Sequence, residues 1–206
     1  MRALLIVDIQ NDFLPGGSLG VPHGEEIIPL LNELQQKFSC IVATKDWHPP
    51  HHISFASSHG KKVGEVIEVN GRRQELWPDH CIQGTRGAEF ASLLQTEKIE
   101  KVIFKGIHPH IDSYSTFFDN AHLRSTGLEE YLRQRGVNAI YIAGLATEYC
   151  IKYSVLDAQQ LGFNIHVVID ACRGIEIHRG DIERALQEMR DVGAELVNSS
   201  QVLTTI

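Results

Sequence analysis

The chain has 206 residues, 43% of them hydrophobic and 22% charged, a size and mix that suit one domain spanning 1–206 and exclude disordered or fibrous classes. Lys and Arg number 19 against 26 Asp and Glu, for a net charge of -7, and no basic run exceeds Lys61-Lys62 or Arg72-Arg73, so the partner expected is a small molecule rather than nucleic acid. No segment reaches the roughly 20 apolar residues of a membrane span, and the N-terminal apolar run stops at Asp8, too early for a secretory signal. The cysteines (Cys40, Cys81, Cys150, Cys172) lie at wide, irregular spacings with no C-x-x-C. They read as reduced thiols of a cytoplasmic protein.

In chain order, Ala3 to Val7 is a continuous apolar run, the mark of a strand buried on both faces. A helix is expected near Glu25–Phe38, with Ile27, Leu30, Leu31, Leu34 and Phe38 on one stripe. Ile41 to Thr44 reads as a second strand. The stretch from His48 to Gly87, rich in His, Gly and Pro, is expected to fold mainly as loops around a site, with a hairpin near Lys62–Gln74. Val102 to Phe104 is a third strand. Gly127–Arg135 is a helix closed by Gly136 in a left-handed cap. A fourth strand, Ala139 to Ala143, leads to a helix near Thr147–Leu161. A fifth, Ile165 to Ile169, precedes a helix over Ile177–Val192 with Ile182, Leu186 and Met189 inward. Glu195 to Val197 would be a short sixth strand. Such alternation predicts an α/β fold, a mostly parallel sheet covered on both faces.

In an open parallel sheet, ligands sit beyond the carboxyl ends of the strands. Asp8, Asp46 with His48, Lys105, Cys150 and Asp170 all stand at such ends. Cys150 opens a helix, where unpaired N–H groups and the helix dipole are expected to lower its thiol pKa, with Lys105 acting in the same sense. The alternative is a small buried hydrophobe. Asp8 and Lys105 form either a self-satisfied ion pair or a proton acceptor and a charge stabiliser for an attacking sulfur. Asp46-x-His48 puts two side chains on one side of an extended segment. His80 can add a third ligand, which suits Zn²⁺, Fe²⁺ or Mn²⁺ with a position left open. His52 is a candidate fourth ligand. Phe13 and Trp77 are either core aromatics or walls for an aromatic substrate. The chain has no G-x-G-x-x-G at the first turn, no G-x-x-x-x-G-K-[ST], no H-E-x-x-H and no G-x-S-x-G, so dinucleotide, phosphate-loop and serine-hydrolase chemistry lose their usual marks.

These residues stand in longer motifs: Ala3-Leu-Leu-Ile-Val-Asp-Ile-Gln-Asn-Asp-Phe13, Gly16-Gly-Ser-Leu19, Lys45-Asp-Trp-His-Pro49 with Ser54-Phe55, and Trp77-Pro-Asp-His-Cys81. Lys105-Gly106, Asp112-Ser-Tyr-Ser115 with Phe117, and Gly144-Leu-Ala-Thr-Glu-Tyr-Cys150 complete them. Nearly end to end the chain resembles the nicotinamidase/pyrazinamidase family of isochorismatase-like cysteine hydrolases. The resemblance implies a three-layer α/β/α fold around a six-stranded parallel sheet, and hydrolysis of nicotinamide to nicotinate and ammonia in NAD salvage, with pyrazinamide as a further substrate. It implies Asp8, Lys105 and Cys150 as catalytic residues and Asp46, His48 and His80 as ligands of a divalent metal, zinc first among the choices. It also implies a cis peptide between Leu145 and Ala146, with the N–H groups of Ala146 and Cys150 facing an oxyanion, and a pocket of Phe13, Leu19, Trp77, Tyr114, Leu145 and Tyr149. A homo-oligomer is compatible with it. Glu148 stands where the motif usually has aspartate and is expected to face away. The rival readings are a related cysteine hydrolase of another amide or ureido compound, a non-catalytic metal-binding α/β module and a thiol-redox protein.

Overall fold

The computed structural model describes residues 1–69 and 71–205. In chain order its elements are β1 (Arg2–Val7), α1 (Ile28–Leu34), β2 (Ile41–Asp46), β3 (Val66–Val69) and β4 (Arg72–Glu75). They continue with β5 (Lys101–Lys105), α2 (Leu128–Gln134), β6 (Ala139–Leu145) and α3 (Lys152–Gln160). The chain closes with β7 (Asn164–Arg173), α4 (Asp181–Asp191), β8 (Glu195–Val197) and α5 (Ser199–Thr205). Six strands form one parallel sheet in the order β5-β2-β1-β6-β7-β8. The central strand β1 is buried from Ala3 to Val7, as its unbroken apolar run requires when both faces are covered.

From β1 the chain steps outward to β2 and then β5, and later crosses back to build β6, β7 and β8 on the other side. Right-handed crossovers in opposite directions put their helices on opposite faces, which gives the three layers. The order reverses between β1 and β6, so the crevice for a ligand opens beyond their carboxyl ends. Among the described residues, no helix is long and apolar enough to cross a membrane.

Several elements differ from the expected ones. The first helix is regular only over α1, flanked by 3-10 turns at Gly24–Ile27 and Gln35–Lys37. Pro29 is the reason at its start: lacking an N–H, it fits only the first turn of an α-helix. The fourth helix begins at Asp181, after Gly180 in the left-handed region (φ 87°), not at Ile177. The fifth strand does not stop at Ile169. A register shift against β6 lets β7 run on to Arg173, so Asp170 and Cys172 lie within it. Asp170 there accepts hydrogen bonds from the Ser199 N–H and hydroxyl (2.8 and 2.6 Å), starting α5 rather than serving the crevice. The hairpin expected near Lys62–Gln74 is β3–β4, antiparallel with Val66 opposite Glu75; Asn70, within the expected span, lies outside the described residues.

Gly144 pairs with Val7 on one side and Cys172 on the other. Its φ is 131°, and a Cβ there would lie 2.8 Å from the Val7 nitrogen and nearer still to its carbonyl oxygen. The absence of a side chain therefore lets β1 and β6 close together where Asp8 and the Cys150 turn leave the sheet. Gly144→Ala is expected to destabilise the fold by about 2–4 kcal/mol in urea unfolding. Gly136→Ala, also at positive φ (68°) but with open space around it, should cost only about 1–2 kcal/mol.

Candidate active site

Asp46 and Lys105 end neighbouring strands and face each other in the β2–β5 register, so their side chains emerge on the same face. Lys105 Nζ lies 2.5 Å from Asp46 Oδ1 and 2.9 Å from Asp8 Oδ2. It also donates to the Ser113 carbonyl (3.1 Å) and to Cys150 Sγ (3.3 Å). An ammonium has three N–H bonds, so four acceptors compete for it. Asp8 leaves β1 in the left-handed region (φ 53°), which aspartate tolerates better than most residues. Its Oδ1 accepts from the Thr44 hydroxyl (2.6 Å). Its Oδ2 takes no aligned hydrogen bond despite the ion pair, which leaves a lone pair for a proton. Oxygens of Asp8 and Asp46 and the Cys150 sulfur lie within 4.8 Å of one another.

One positive charge cannot neutralise two buried carboxylates. Burial pushes both up; Lys105, with His48 and His80, overrides this at Asp46 and holds it well below the usual range. At Asp8, burial wins over Lys105 and the pKa is raised. For Lys105, burial alone would lower the pKa, but Asp46 and Asp8 raise it well above the ordinary value. Burial pushes the Cys150 thiol well up, with Lys105 alone pulling it down and Asp8 and Asp46 adding to the rise. The expected depression of this thiol is therefore reversed. Burial is the larger cause and the two carboxylates the next; Cys150 itself sits in a wide π turn, Thr147–Ile151, ahead of the regular helix α3. In that turn the Ala146 carbonyl accepts from both Tyr149 and Ile151 (3.2 and 3.1 Å), and the Leu145–Ala146 peptide is cis.

Beyond β2 the chain continues as a ribbon against the segment 77–83. His48 bridges to Ile82 and Phe55 to Trp77, with His48 N donating to Cys81 O (3.0 Å) and Gln83 N to His48 O (2.9 Å). That pairing carries His80 to Asp46. Asp46 Oδ2 stands 3.5 Å from His48 Nε2 and 3.8 Å from His80 Nε2. The Nδ1–H of His48 donates to Gly106 O (2.9 Å), and that of His80 to Pro78 O (2.7 Å). Both Nε2 atoms therefore point at the carboxylate, the arrangement in which a divalent ion could take the place of the protons between them. This set of one carboxylate and two oriented imidazoles fits a metal. His52 does not join it. Its ring lies over that of His48, centroids 4.2 Å apart. Its Nε2–H donates to the His108 carbonyl (3.0 Å), and Nδ1 is taken by the Ser54 hydroxyl (2.7 Å). Burial, with His48 alongside, pushes its pKa down to about 4. A second set, His48, His52 and Asp112, shares His48, whose Nδ1 is already committed to Gly106.

A narrow pocket opens onto Cys150, lined by Phe13, Leu19, Trp77, Tyr114, Ala146 and Tyr149 together with Asp46 and His80. Its aromatic wall is tied down: Trp77 Nε1–H donates to Tyr114 Oη (3.1 Å) and the Tyr149 hydroxyl to Glu75 Oε2 (3.0 Å). Leu145, expected in the wall, is instead fully buried beneath it, beside Gly24. Glu148 turns away and accepts the Ile175 and Glu176 N–H groups (2.8 and 2.6 Å). Asp112 and Ile175 line the pocket as well. The Asp112-Ser-Tyr-Ser motif carried a signal for the first; nothing in the sequence marked the second. Thr44 was hidden within an apolar strand.

Residues 2–201 match the family described as an isochorismatase domain. A nicotinamidase of Acinetobacter baylyi is 44% identical over 202 residues, 98% of this chain and 94% of its own length. The structure of an Acinetobacter baumanii nicotinamidase/pyrazinamidase superposes with a TM-score of 0.94 at 45% identity, covering 98% of this chain and 97% of that one. A Pyrococcus horikoshii pyrazinamidase in complex with zinc gives 0.79 at 41% identity, with 96% and 98% covered.

Thr44→Val removes the hydroxyl from Asp8 without changing the strand. A hydrogen bond to a charged group contributes about 1.5–3 kcal/mol, and this one holds the Asp8 pKa down, so the Asp8 pKa should rise further in the variant. Carbon-13 titration of the Asp8 carboxyl reads the shift, and a fall would contradict the role given to Thr44.

Proposed function

We propose that this chain, which belongs to the isochorismatase domain family, is a nicotinamidase that hydrolyses nicotinamide to nicotinate and ammonia through a thioester on Cys150. The observation that carries this reading is the single ammonium of Lys105, in reach of the Cys150 sulfur, the Asp8 carboxylate and the Asp46 carboxylate. It joins nucleophile, base and metal-ligand set in one buried cluster, and nearly full-length relatives bear the activity's name.

Phe13, Trp77 and Tyr149 face the pyridine ring and hold its carboxamide over the sulfur. Asp46, His48 and His80 would hold a divalent ion, zinc by the chemistry of the donors and by the zinc-bound relative, with Fe²⁺ and Mn²⁺ served by the same atoms. Such an ion supplies a Lewis acid for the ring nitrogen. Cys150 keeps its proton at rest, so attack and proton loss occur together. Sulfur bonds to the carbonyl carbon while the S–H proton passes to Asp8. The N–H groups of Ala146 and Cys150 receive the oxyanion, each such donor being worth about 3–4 kcal/mol in other enzymes. Lys105 steadies Asp8 whenever it is ionised, and sulfur when the C–S bond breaks. Asp8 returns its proton to the leaving nitrogen, the C–N bond breaks and ammonia departs. Water then gives a proton to Asp8 as its oxygen adds to the thioester. The C–S bond breaks, sulfur regains the proton from Asp8, and nicotinate is released.

Pyrazinamide, which exchanges one ring CH for nitrogen, is a second substrate on this reading, and return of nicotinate toward NAD is the cellular role. All four cysteines are free, which suits the reducing cytoplasm.

Cys150→Ala should lower kcat by at least about a thousandfold while nicotinamide still binds in calorimetry; a near-normal rate sinks the assignment. Activity should also fall on acidification through an apparent pKa above the ordinary aspartate value of about 3.9. Asp8 accepts a proton only when ionised, so activity is present above its raised pKa and lost below it. An acid limb at or below the ordinary value in kcat/KM would contradict Asp8 as the base. Removal of metal by a chelator should raise KM for nicotinamide, with recovery on adding zinc back; unchanged kinetics in fully stripped protein would exclude the metal's role.

A further inference from the structure

Two polar side chains between Asp8 and Phe13, one buried and one half-buried, touch neither the thiol nor the pocket. Gln10 is fully buried, and its amide takes both backbone groups of Asp46. Asp46 N–H donates to Gln10 Oε1 (2.8 Å), and Gln10 Nε2 donates to Asp46 O (2.8 Å) and to Ala88 O (2.9 Å). Asp12 reaches across to the residue after His80: Cys81 N–H donates to Asp12 Oδ2 (2.7 Å). Cys81 holds a left-handed backbone (φ 45°), unusual for a residue with a side chain, and the Asp12 carboxylate pins its N–H in that turn. A Cβ on Gly87 would collide with the Asp12 carboxylate, so the neighbouring loop is shaped to admit it. The Asp12 carbonyl accepts from Leu19 N–H (3.0 Å) and that of Phe13 from Val21 (2.9 Å), which joins the same segment to the pocket wall.

We infer that Gln10 and Asp12 are positioning residues for the metal-ligand set, gripping the backbone at Asp46 and beside His80 and so fixing both ligands relative to Asp8. Residues 8, 10 and 12 alternate along one short stretch: Asp8 meets the ammonium, Gln10 holds Asp46, and Asp12 holds the turn behind His80. A buried amide costs free energy unless every group is paired. Here the pairing is spent on a metal ligand's own peptide groups rather than on a sheet ladder. Outer partners of this kind typically change metal affinity by about 10–100-fold.

This inference rests on the metal reading above, and Co²⁺ binding to the full-length protein tests the two separately. In the wild type, stripped protein titrated with Co²⁺ should develop a visible ligand-field band; no binding would overturn the metal reading and this inference with it. Gln10→Ala and Asp12→Ala should each weaken Co²⁺ binding by about 10–100-fold and change the band shape, while Asp12→Asn, which keeps an acceptor oxygen, stays within about threefold of wild type. Asn32→Ala is the matched control. Asn32 also makes two side-chain bonds to backbone, to Leu93 O and from Gln95 N (both 2.9 Å), outside the site, and its loss should leave the Co²⁺ constant and spectrum unchanged. Gly87→Ala keeps Asp12 but displaces its carboxylate, so it should reproduce the Asp12→Ala loss even if the latter fails to fold. Wild-type Co²⁺ affinity and spectrum in Gln10→Ala and Gly87→Ala would overturn the inference while leaving the metal site standing.

Discussion

A single buried ammonium serves two carboxylates and a thiol, and the character of each group in the site follows from that shortage. Charges removed from water must be paired or be neutralised. Asp46 obtains Lys105 and two imidazoles and stays ionised. Asp8 shares the same lysine and falls short, so its pKa rises. The Cys150 thiol, surrounded by this excess of negative charge and shut off from water, holds its proton. On the proposed mechanism, the site is poised to move one proton from sulfur to Asp8 when a carbonyl carbon arrives to take the sulfur's electrons. A free thiolate at rest would be a different kind of nucleophile, open to oxidation.

The sheet makes this shortage possible because it brings the groups together without exposing them. β1 and β6 flank the point where strand order reverses, and the close approach at Gly144 sets the distance between the turns that carry Asp8 and Cys150. Lys105 arrives opposite Asp46 by strand register alone. The ligand set needs more than the sheet. The ribbon pairing of His48 with Ile82 and of Phe55 with Trp77 folds a long loop back, so that His80 and Trp77 come to the same place. Trp77 of the ring wall and His80 of the candidate ligand set therefore stand on one piece of backbone.

Much of this was legible in the sequence because it depends on local pattern. Continuous apolar runs marked the strands, and polar residues immediately after them marked the rim. What the pattern cannot carry is pairing between distant segments. The extension of β7 depends on a register shift against β6, so Asp170, at the end of the apolar run, lies within the strand and starts a helix. The thiol pKa departs from what a helix start implies for a related reason. A helix start is visible in a sequence, but the desolvation that outweighs it is a property of the packed site. His52 had suitable chemistry for a ligand, and only the positions of Ser54 and His108 show both its nitrogens taken. Thr44, Gln10 and Asp12 are ordinary polar letters until their partners across the sheet are known.

The most direct test of the central claim is rapid-quench mass spectrometry of the protein mixed with nicotinamide, followed by peptide mapping. A covalent path through sulfur predicts one nicotinoyl group on the peptide that contains Cys150, formed within the first turnover and lost as nicotinate appears. Steady release of nicotinate with no acylated peptide at any quench time, or with the acyl group on another residue, would contradict it.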